Sequence, residues 1–233
     1  TALVADNGRN AAVAISYQND LTVDADAGLV FNSGGENFNA GLVRLDDEGN
    51  VLWAQGFGGP GAEEFRGMDM DQAGNIYATG VFSHTAFFGS LDLLGGETHE
   101  VVLAAYTGDG EHLWSVGYLG DGFDQALDLE VVDNGLYVAG RYAQDLTFGE
   151  ELLSSEAGGY DVLIGRFSTA DGAPVWVKGI GSAEEDAALG IAVGGDGSVY
   201  VGGHTKGALP YLGGEIPLAG AGLEAFVLQL KEE

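Results

Sequence analysis

The side chains of this sequence best suited to chemistry are acids that recur in three glycine-rich segments. Each segment follows a tryptophan, and an acid stands 10 or 11 residues after that tryptophan. The recurring acids are Glu64, Asp124 and Asp186, and further acids of the same segments are Glu63, Asp121 and Glu185. Carboxylates gathered at one end of a fold can collect a cation or a cationic ligand. A pair of them can also act as acid and base in a lyase or glycosidase.

A structural role is the alternative for these acids. A carboxylate in a glycine-rich loop can accept hydrogen bonds from the backbone N–H groups of that loop and so hold its shape. Recurrence in all three segments favours this role, because a structural acid is needed once per repeat whereas a functional site usually occurs once per protein. We therefore expect loop anchors, and keep ligand or cation binding as the second interpretation.

A second group of acids, in the segment "DMDQAGN", has the composition of a calcium loop. Calcium requires several oxygen ligands at a short, fixed spacing. The corresponding segments of the chain keep small polar residues but lose the acids. We align Asp69 and Asp71 with Asp128 and Glu130, and then with Ala192 and Gly194. The pattern favours a hairpin turn, and a weak Ca²⁺ site at Asp69 and Asp71 is the alternative.

Other chemistries have little support in the sequence. The chain has no cysteine, which excludes disulfides and thiolate sites, and its 4 histidines stand in no metal-ligand spacing. It contains no GxSxG motif and no phosphate-binding loop. The formal net charge of −28 argues against nucleic acid and anionic lipid as partners. No apolar run approaches the length of a membrane span, so membrane insertion is not expected.

The elements that position these residues are four copies of one unit. Trp53, Trp114 and Trp176 recur at a nearly constant interval. The tyrosines of "GNIYATG", "NGLYVAG" and "GSVYVGG" recur at almost the same interval, and they are Tyr77, Tyr137 and Tyr200. The segment 1–58 is a more divergent copy. The copies therefore span approximately 1–58, 59–120, 121–181 and 182–233 within a single domain.

Within a unit, the alternation of apolar and polar residues predicts four short strands, which we call A, B, C and D. The A–B and C–D links are tight and rich in Asp, Gly and Asn, as in hairpins, whereas the B–C and D–A links are longer. One antiparallel meander per period of about 61 residues is typical of a β-propeller, in which each unit is a blade. The sequence thus predicts an all-β, four-bladed propeller in which the three Trp and three Tyr pack between blades.

The two ends of the sequence affect the strand count. Four A, four B and four C segments are present but only three D segments, because the sequence starts at "ALVAD" and stops after "AFVLQLKEE". We expect the last blade to lack its outer strand within this sequence. Either the sequence is part of a longer natural domain, in which another segment or chain completes the blade, or the ring has four blades and one exposed edge. A larger parent protein fits this expectation.

A composite motif runs through the copies. It consists of an aromatic strand, a glycine-rich link with an acid, a "D..GN" turn and a strand of the type "vyvtG", with the best example at 52–80 in "LWAQGFGGPGAEEFRGMDMDQAGNIYATG". With these features the unit resembles the bacterial SBBP (beta-propeller) repeat. The resemblance implies a propeller fold and an extracellular, cell-surface or periplasmic location, and it implies no particular activity.

These observations predict a non-catalytic binding or scaffold module of an exported or cell-surface bacterial protein, with a protein or carbohydrate ligand at the loop-bearing face. Two alternatives stay open. One is a propeller lyase or glycosidase that uses Glu64, Asp124 and Asp186. The other is a calcium-dependent adhesion domain, with Ca²⁺ as the one cofactor considered.

Overall fold

The computed structural model describes residues 2–6, 8–32, 37–155, 159–211, 214–216 and 222–231, and for 211 and 214–216 it describes the backbone alone. These residues form strands, turns and bends, and none of them lies in a helix. The predicted all-β class, built from four-stranded antiparallel sheets, is confirmed. No helix capable of crossing a membrane occurs among the described residues. The chain divides into two compact units, residues 1–117 and 118–233.

The first unit contains two four-stranded antiparallel sheets. In chain order its strands are β1 (Ala2–Ala5), β2 (Ala11–Tyr17), β3 (Leu21–Asp24), β4 (Leu29–Phe31), β5 (Asn39–Leu45), β6 (Val51–Phe57), β7 (Glu64–Met70), β8 (Ile76–Phe82), β9 (Thr85–Phe87), β10 (Asp92–Leu94), β11 (Glu100–Tyr106) and β12 (His112–Tyr118). Sheet 1 has the order β1-β2-β5-β6, and sheet 2 has the order β12-β11-β8-β7. Both sheets are therefore A–B–C–D meanders, as the sequence predicts.

The second unit repeats this plan. Its strands are β13 (Gln125–Val132), β14 (Gly135–Tyr142), β15 (Asp145–Phe148), β16 (Glu151–Ser154), β17 (Asp161–Ser168), β18 (Pro174–Ile180), β19 (Asp186–Val193), β20 (Ser198–Thr205), β21 (Leu209–Tyr211), β22 (Gly214–Ile216) and β23 (Glu224–Lys231). Sheet 3 has the order β13-β14-β17-β18. Sheet 4 has the order β19-β20-β23, so among the described residues it has no fourth strand.

A small hairpin interrupts every B–C connection, and the sequence analysis does not predict it. The hairpins are β3–β4, β9–β10, β15–β16 and β21–β22, each an antiparallel pair of three- or four-residue strands. Strands of this length show too little alternation to be recognised from periodicity. The B–C end of each repeat therefore carries a folded element where a plain loop is expected.

The burial of the strands explains their composition. Every residue of β8 and β11, the two inner strands of sheet 2, is buried, and both strands read as nearly continuous apolar runs. The outer strand β12 alternates instead, with Leu113 47% exposed. The C–D turns that lead into β6, β12 and β18 have glycines with positive φ, which are Gly49, Gly110 and Gly172.

A β-bulge in strand A accounts for one recurring glycine of strand B. The A–B register shifts at the bulge in sheets 2, 3 and 4. In these sheets a Cβ on Gly80, Gly140 or Gly203 would lie 1.9 to 2.0 Å from a carbonyl oxygen of strand A. In sheet 1 the described A–B pairs run from Ala2–Ala14 to Ala5–Ala11 and do not reach Ile15, the counterpart of these glycines, which lies opposite Gly41. In sheets 2, 3 and 4 glycine is required because the bulge brings the two backbones together.

Aromatic side chains form the core of the first unit. Phe57 at the end of β6 packs against three aromatic residues of sheet 2 and its hairpin, with ring centroids 5.2 Å away for Tyr106, 5.8 Å for Phe65 and 6.1 Å for Phe88. All four are buried together with small residues of β2 and β5, including Ala14 and Leu42. Burial of side chains of this size supplies the main stabilisation of such a sheet pair.

The second unit has the same arrangement at the corresponding positions. Tyr118 packs against Phe148 of hairpin β15–β16 and Phe167 of β17, at 4.6 and 5.5 Å between ring centroids. Its hydroxyl donates a hydrogen bond to the carbonyl of Gly172. Strand β19 packs on β13 and β14, with Ile191 and Val201 in the shared core.

Candidate functional site

The D–A loops, which carry the predicted site acids, lead directly into the A strands. The bulges define equivalent positions, because Phe65, Ala126 and Ala188 each precede the bulged residue. Counting back two residues equates Glu63 with Asp124 and Asp186. Glu63, not Glu64, is therefore the equivalent acid, and it stands ten residues after its tryptophan, as Asp124 and Asp186 do.

The three equivalent acids lie beneath the loop surface. Glu63, Asp124 and Asp186 are all 0% exposed. Glu64 is half-buried and forms an ion pair with Arg66 at 3.5 Å. A ligand that approaches the loops thus meets other groups before it meets these three carboxylates.

Two of the buried acids are held by backbone N–H groups. Asp186 accepts a hydrogen bond from the N–H of Ser182 in its own loop, at 2.6 Å. Asp124 accepts one from the N–H of Ala143, at 3.0 Å, and so ties its loop to the B–C connection of sheet 3. A buried carboxylate that accepts such hydrogen bonds fixes the loop backbone. The bonds replace part of the hydration that the carboxylate loses on burial.

Glu63 lies in a different environment from its two counterparts. Neither of its carboxylate oxygens makes a hydrogen bond of normal geometry among the described residues. Burial raises the pKa of Glu63 to about 7, and the opposing effect of the Gly59 N–H is smaller. Burial also raises the pKa of the nearby Tyr17, with Glu63 and Asp20 adding to the shift. Glu63 is thus a carboxyl group that changes charge near neutral pH inside the protein.

A buried pair at the B–C end of sheet 3 escaped the sequence analysis. Tyr142 ends β14 and lies opposite Asp161, the first residue of β17. Burial raises the pKa of Tyr142, and the charges of Asp161 and Asp124 raise it further. The corresponding pairs in the other sheets are Tyr17–Asn39, Phe82–Glu100 and Thr205–Glu224. A polar residue at the start of every C strand was the available sequence signal.

The remaining acids of the D–A loops are exposed. Glu185 forms an ion pair with Lys206, which lowers the pKa of this carboxyl group. Asp121 is exposed, and its backbone N–H bonds the carbonyl of Asp145 at 2.8 Å. The predicted ring of acids is thus divided between buried anchors and exposed side chains.

The turn proposed as a calcium loop is closed by its own hydrogen bonds. Asp71 Oδ1 accepts the N–H groups of Ala73 and Asn75, both at 2.9 Å. Its Oδ2 accepts the Asn75 amide at 2.8 Å and the Tyr77 hydroxyl at 3.2 Å. The same Asp-to-Asn arrangement closes the turns at 6–10 and 46–50. This geometry is that of an Asx turn, which holds the two strands in register.

Asp69 and Asp71 also line a cleft of about 400 Å³ between the ends of β1 and β7. The third acid of the cleft, Asp6, is paired with the buried Arg44. Its pKa is lowered by the Asn10 side chain first and by Arg44 to a smaller extent. Asp71 and Asp6 are therefore already engaged by protein donors. No group of three metal-ligating side chains occurs in the described part of the chain.

Register corrects the alignment of two further acids. Glu130, rather than Asp128, corresponds to Asp69, because these two residues lie opposite Tyr137 and Tyr77. Asp128 and Glu130 have a distinct structural role. Their carboxylates accept the backbone N–H groups of two β19 residues one repeat later, Ile191 and Val193.

Of the tryptophans predicted to lie between blades, one contacts a turn of the next sheet and two contact residues of their own sheet. Trp53 is half-buried, and its indole N–H donates to the carbonyl of Gly108, at 2.8 Å, in the C–D turn of sheet 2. Gln55 donates to Gly110 in the same turn at 2.6 Å. Trp114 lies 6.2 Å from Tyr77 within sheet 2, and Lys178 lies over the Trp176 ring at 5.6 Å.

The tyrosines of strand B differ in exposure. Tyr77 and Tyr137 are 4% and 5% exposed, whereas Tyr200 in sheet 4 is 40% exposed. The guanidinium of Arg166 lies 5.6 Å from the Tyr137 ring.

The D–A loops that lead into sheets 2 and 3 are each bonded to the hairpin of that sheet. The bonds are Phe87 N–H to Gly58 O and Thr147 N–H to Leu119 O, both at 3.0 Å. In each of these two repeats the loop carries the buried acid and the hairpin carries the exposed face. Each pair of loop and hairpin can thus present a rigid surface to a ligand.

Comparison with known proteins identifies no family for this chain. A scan against protein-family models gives no match, and a search of curated proteins finds no significant similarity. The functional assignment of the chain therefore depends on the arrangement of its own residues.

Proposed function

We propose that the four sheets are blades of a β-propeller and that the chain is a non-catalytic binding or scaffold module. Support for the blade assignment comes from the repeated A–B–C–D meander and from the packing of successive sheets within each unit. The resemblance to the SBBP repeat supports an exported or cell-surface bacterial protein as the setting of such a module. In that arrangement the third strand of sheet 4 offers an edge to which a further segment or chain can add.

The observation that carries the binding role is the position of the recurring acids. Glu63, Asp124 and Asp186 are fully buried, and two of them hold loop backbone through N–H groups. An acid or base catalyst must come within hydrogen-bond reach of its substrate. These carboxylates instead support a rigid surface of hairpins and loops, which is suited to binding.

The blade arrangement can be tested by small-angle X-ray scattering on the full chain. A single compact body of 233 residues has a radius of gyration of about 17 Å. We expect a value close to this. A substantially larger radius would indicate two bodies joined by a linker and would overturn the propeller.

The binding role is tested by comparing binding with turnover on a glycan and peptide panel. We expect binding without product formation, and no loss of binding in Asp124→Asn, which retains the loop fold. Turnover of any glycan that is lost in the Asp124→Asn variant would favour the lyase or glycosidase alternative.

Thermal melting distinguishes calcium-dependent adhesion from the proposed binding role. If the turn at 71–75 is structural, the melting temperature stays the same in millimolar Ca²⁺ and in chelator. A rise with Ca²⁺ that disappears in Asp71→Ala would favour the adhesion alternative.

A further inference from the structure

The hairpin β9–β10 of sheet 2 is firmly anchored on its inner side. Ala86 and Phe88 are fully buried, and the Phe88 ring lies 5.5 Å from Phe65 and 6.2 Å from Phe82. The Phe88 carbonyl accepts the Tyr106 hydroxyl at 2.8 Å. The base of the hairpin is closed by two backbone hydrogen bonds of 2.6 Å, which join residue 84 to residues 95 and 96. Its outer face is therefore held in a fixed position.

That outer face is apolar. Phe87 is 43% exposed and Leu94 is 72% exposed, and Leu91 at the tip is 79% exposed. Phe87 lies directly opposite Asp92, and Leu94 is two residues further along the same strand. Side chains in this diagonal relation are within reach of each other on one sheet face. The three residues form an apolar patch around one carboxylate.

Among the hairpins whose side chains the structure describes in full, this patch is found on β9–β10 alone. On hairpin β15–β16 the outward residues are polar apart from Leu152, which is 56% exposed. On hairpin β3–β4 the one large apolar residue with comparable exposure is Val30, at 41%. These are the hairpins whose side chains the structure describes in full. A feature present on one hairpin and not on its counterparts is not required to build the repeat.

Charge indicates the partner that fits the patch. Asp92 lies within it, the exposed Glu97 follows the hairpin, and the chain as a whole has a formal charge of −28. An acidic partner or an anionic lipid surface would be repelled. A segment that combines aliphatic side chains with Lys or Arg satisfies both the apolar patch and its acids.

We propose that the outer face of β9–β10 docks a basic, apolar peptide segment of a partner protein. The aliphatic side chains of that segment contact Phe87, Leu91 and Leu94, and a Lys or Arg pairs with Asp92. This inference rests on the proposed binding function, and it specifies where on the loop face the ligand binds and what its chemistry is.

The test uses two synthetic peptides on the full chain, an acetylated alternating Leu–Lys 14-mer and a Ser–Lys 14-mer of the same charge. In calorimetry at physiological salt we expect the Leu–Lys peptide to bind at least tenfold more tightly. The double variant Phe87→Ser/Leu94→Ser should lose that tenfold difference, and Asp92→Asn should weaken binding of the Leu–Lys peptide about threefold.

The matched control is Leu152→Ser, which removes an exposed leucine from hairpin β15–β16 and should leave binding unchanged. Equal affinity for the two peptides, or an equal loss in Leu152→Ser, would overturn the proposal. Co-sedimentation of the chain with phosphatidylcholine vesicles would assign the patch to a membrane instead and would also overturn it. If the double variant is unstable, the single Leu94→Ser variant carries the same comparison.

Failure here is distinguishable from failure of the proposed function. If the two peptides bind with equal affinity, the expected radius of gyration and the expected absence of turnover are unaffected. Turnover of a glycan would reject the non-catalytic role whatever the peptides do.

Discussion

Sheets 2 and 3 are built alike but differ where side chains could carry out a function. Both have four strands in the same order, a bulged A strand and a glycine opposite the bulge. They differ in the acid of the D–A loop, where sheet 2 has Glu63 and sheet 3 has Asp124. Their hairpins also differ, because the outer face is apolar in sheet 2 and polar in sheet 3.

The comparison separates what the repeat requires from what one copy adds. The glycine recurs because the bulged backbone demands it in both sheets. An acid is buried at the same place in both, but only Asp124 is held by a backbone N–H group. Glu63 has one methylene more than Asp124. Asp124 accepts a hydrogen bond from the Ala143 N–H, whereas burial raises the pKa of Glu63 to about 7. The following substitutions test both parts of this conclusion.

The shared glycines should give the largest effect. In Gly80→Ala and in Gly140→Ala the new Cβ would collide with a carbonyl oxygen of strand A, so each should lose about 3 kcal/mol or more in urea unfolding. Gly202→Ala, where a Cβ meets nothing within 4 Å, is the control and should be close to neutral. A neutral Gly140→Ala would show that the bulge does not fix this position.

Glu63 should make stability fall as pH rises. Its folded pKa of about 7 lies above the value of 4.5 for an ordinary glutamate, so the folded state binds more protons between these values. The free energy of unfolding should therefore be lower at pH 8 than at pH 4.5 by about 3 kcal/mol from this group alone. Glu63→Gln stays neutral and should remove that contribution.

The measurement is a pair of urea titrations at pH 4.5 and pH 8 for both proteins. Glu63→Gln should be close to the unaltered chain in stability at pH 4.5 and more stable at pH 8. Parallel pH profiles for the two proteins would show that Glu63 is charged and satisfied in the fold.

Substitution of Asp124 should lower the free energy of unfolding, whereas Glu63→Gln should raise it at pH 8. Asp124→Ala leaves the Ala143 N–H without its buried acceptor and should lower the free energy of unfolding by about 2 kcal/mol. Asp121→Ala, an exposed acid of the same loop, is the matched control and should change stability little. If Asp124→Ala were stabilising at pH 8, the distinction drawn between Glu63 and Asp124 would be lost.

The A–B turns should give the smallest effect. Asp71 closes the turn of sheet 2 with four hydrogen bonds, whereas sheet 3 turns within two residues, with Asp133 at a φ of 54°. Asp71→Ala should cost about 1 kcal/mol, and Gln72→Ala in the same turn should be neutral. A loss well above that value would indicate that Asp71 has a role beyond the turn.

The repeat, the four strand positions and the tight turns were predictable because each depends on local patterns of apolar residues, Asp, Asn and Gly. The Asx turn at Asp71 follows from its own five residues. The bulge register aligns Glu63, rather than Glu64, with Asp124 and Asp186, and two adjacent acids look alike in the sequence until the bulge sets that register. The exposure of these acids could not be derived from the sequence in the same way, since it depends on the neighbouring hairpin and loop.

The hairpins were missed for a physical reason. A three-residue strand such as β9 or β10 is held by contacts with distant residues, among them the hydrogen bond from Tyr106 to Phe88, and not by its own propensity. The Tyr142–Asp161 pair was missed because its partners are well separated in sequence and meet only through strand pairing.

The carboxylates of Asp128 and Glu130 have a consequence for how this protein behaves at high concentration. Strand β19 is at the edge of sheet 4, and two of its outward N–H groups are taken by these side chains. Free N–H groups on an edge strand are the usual starting point for intermolecular sheet growth. Two acids from the preceding repeat thus protect the chain against aggregation, in a way that the net charge alone does not.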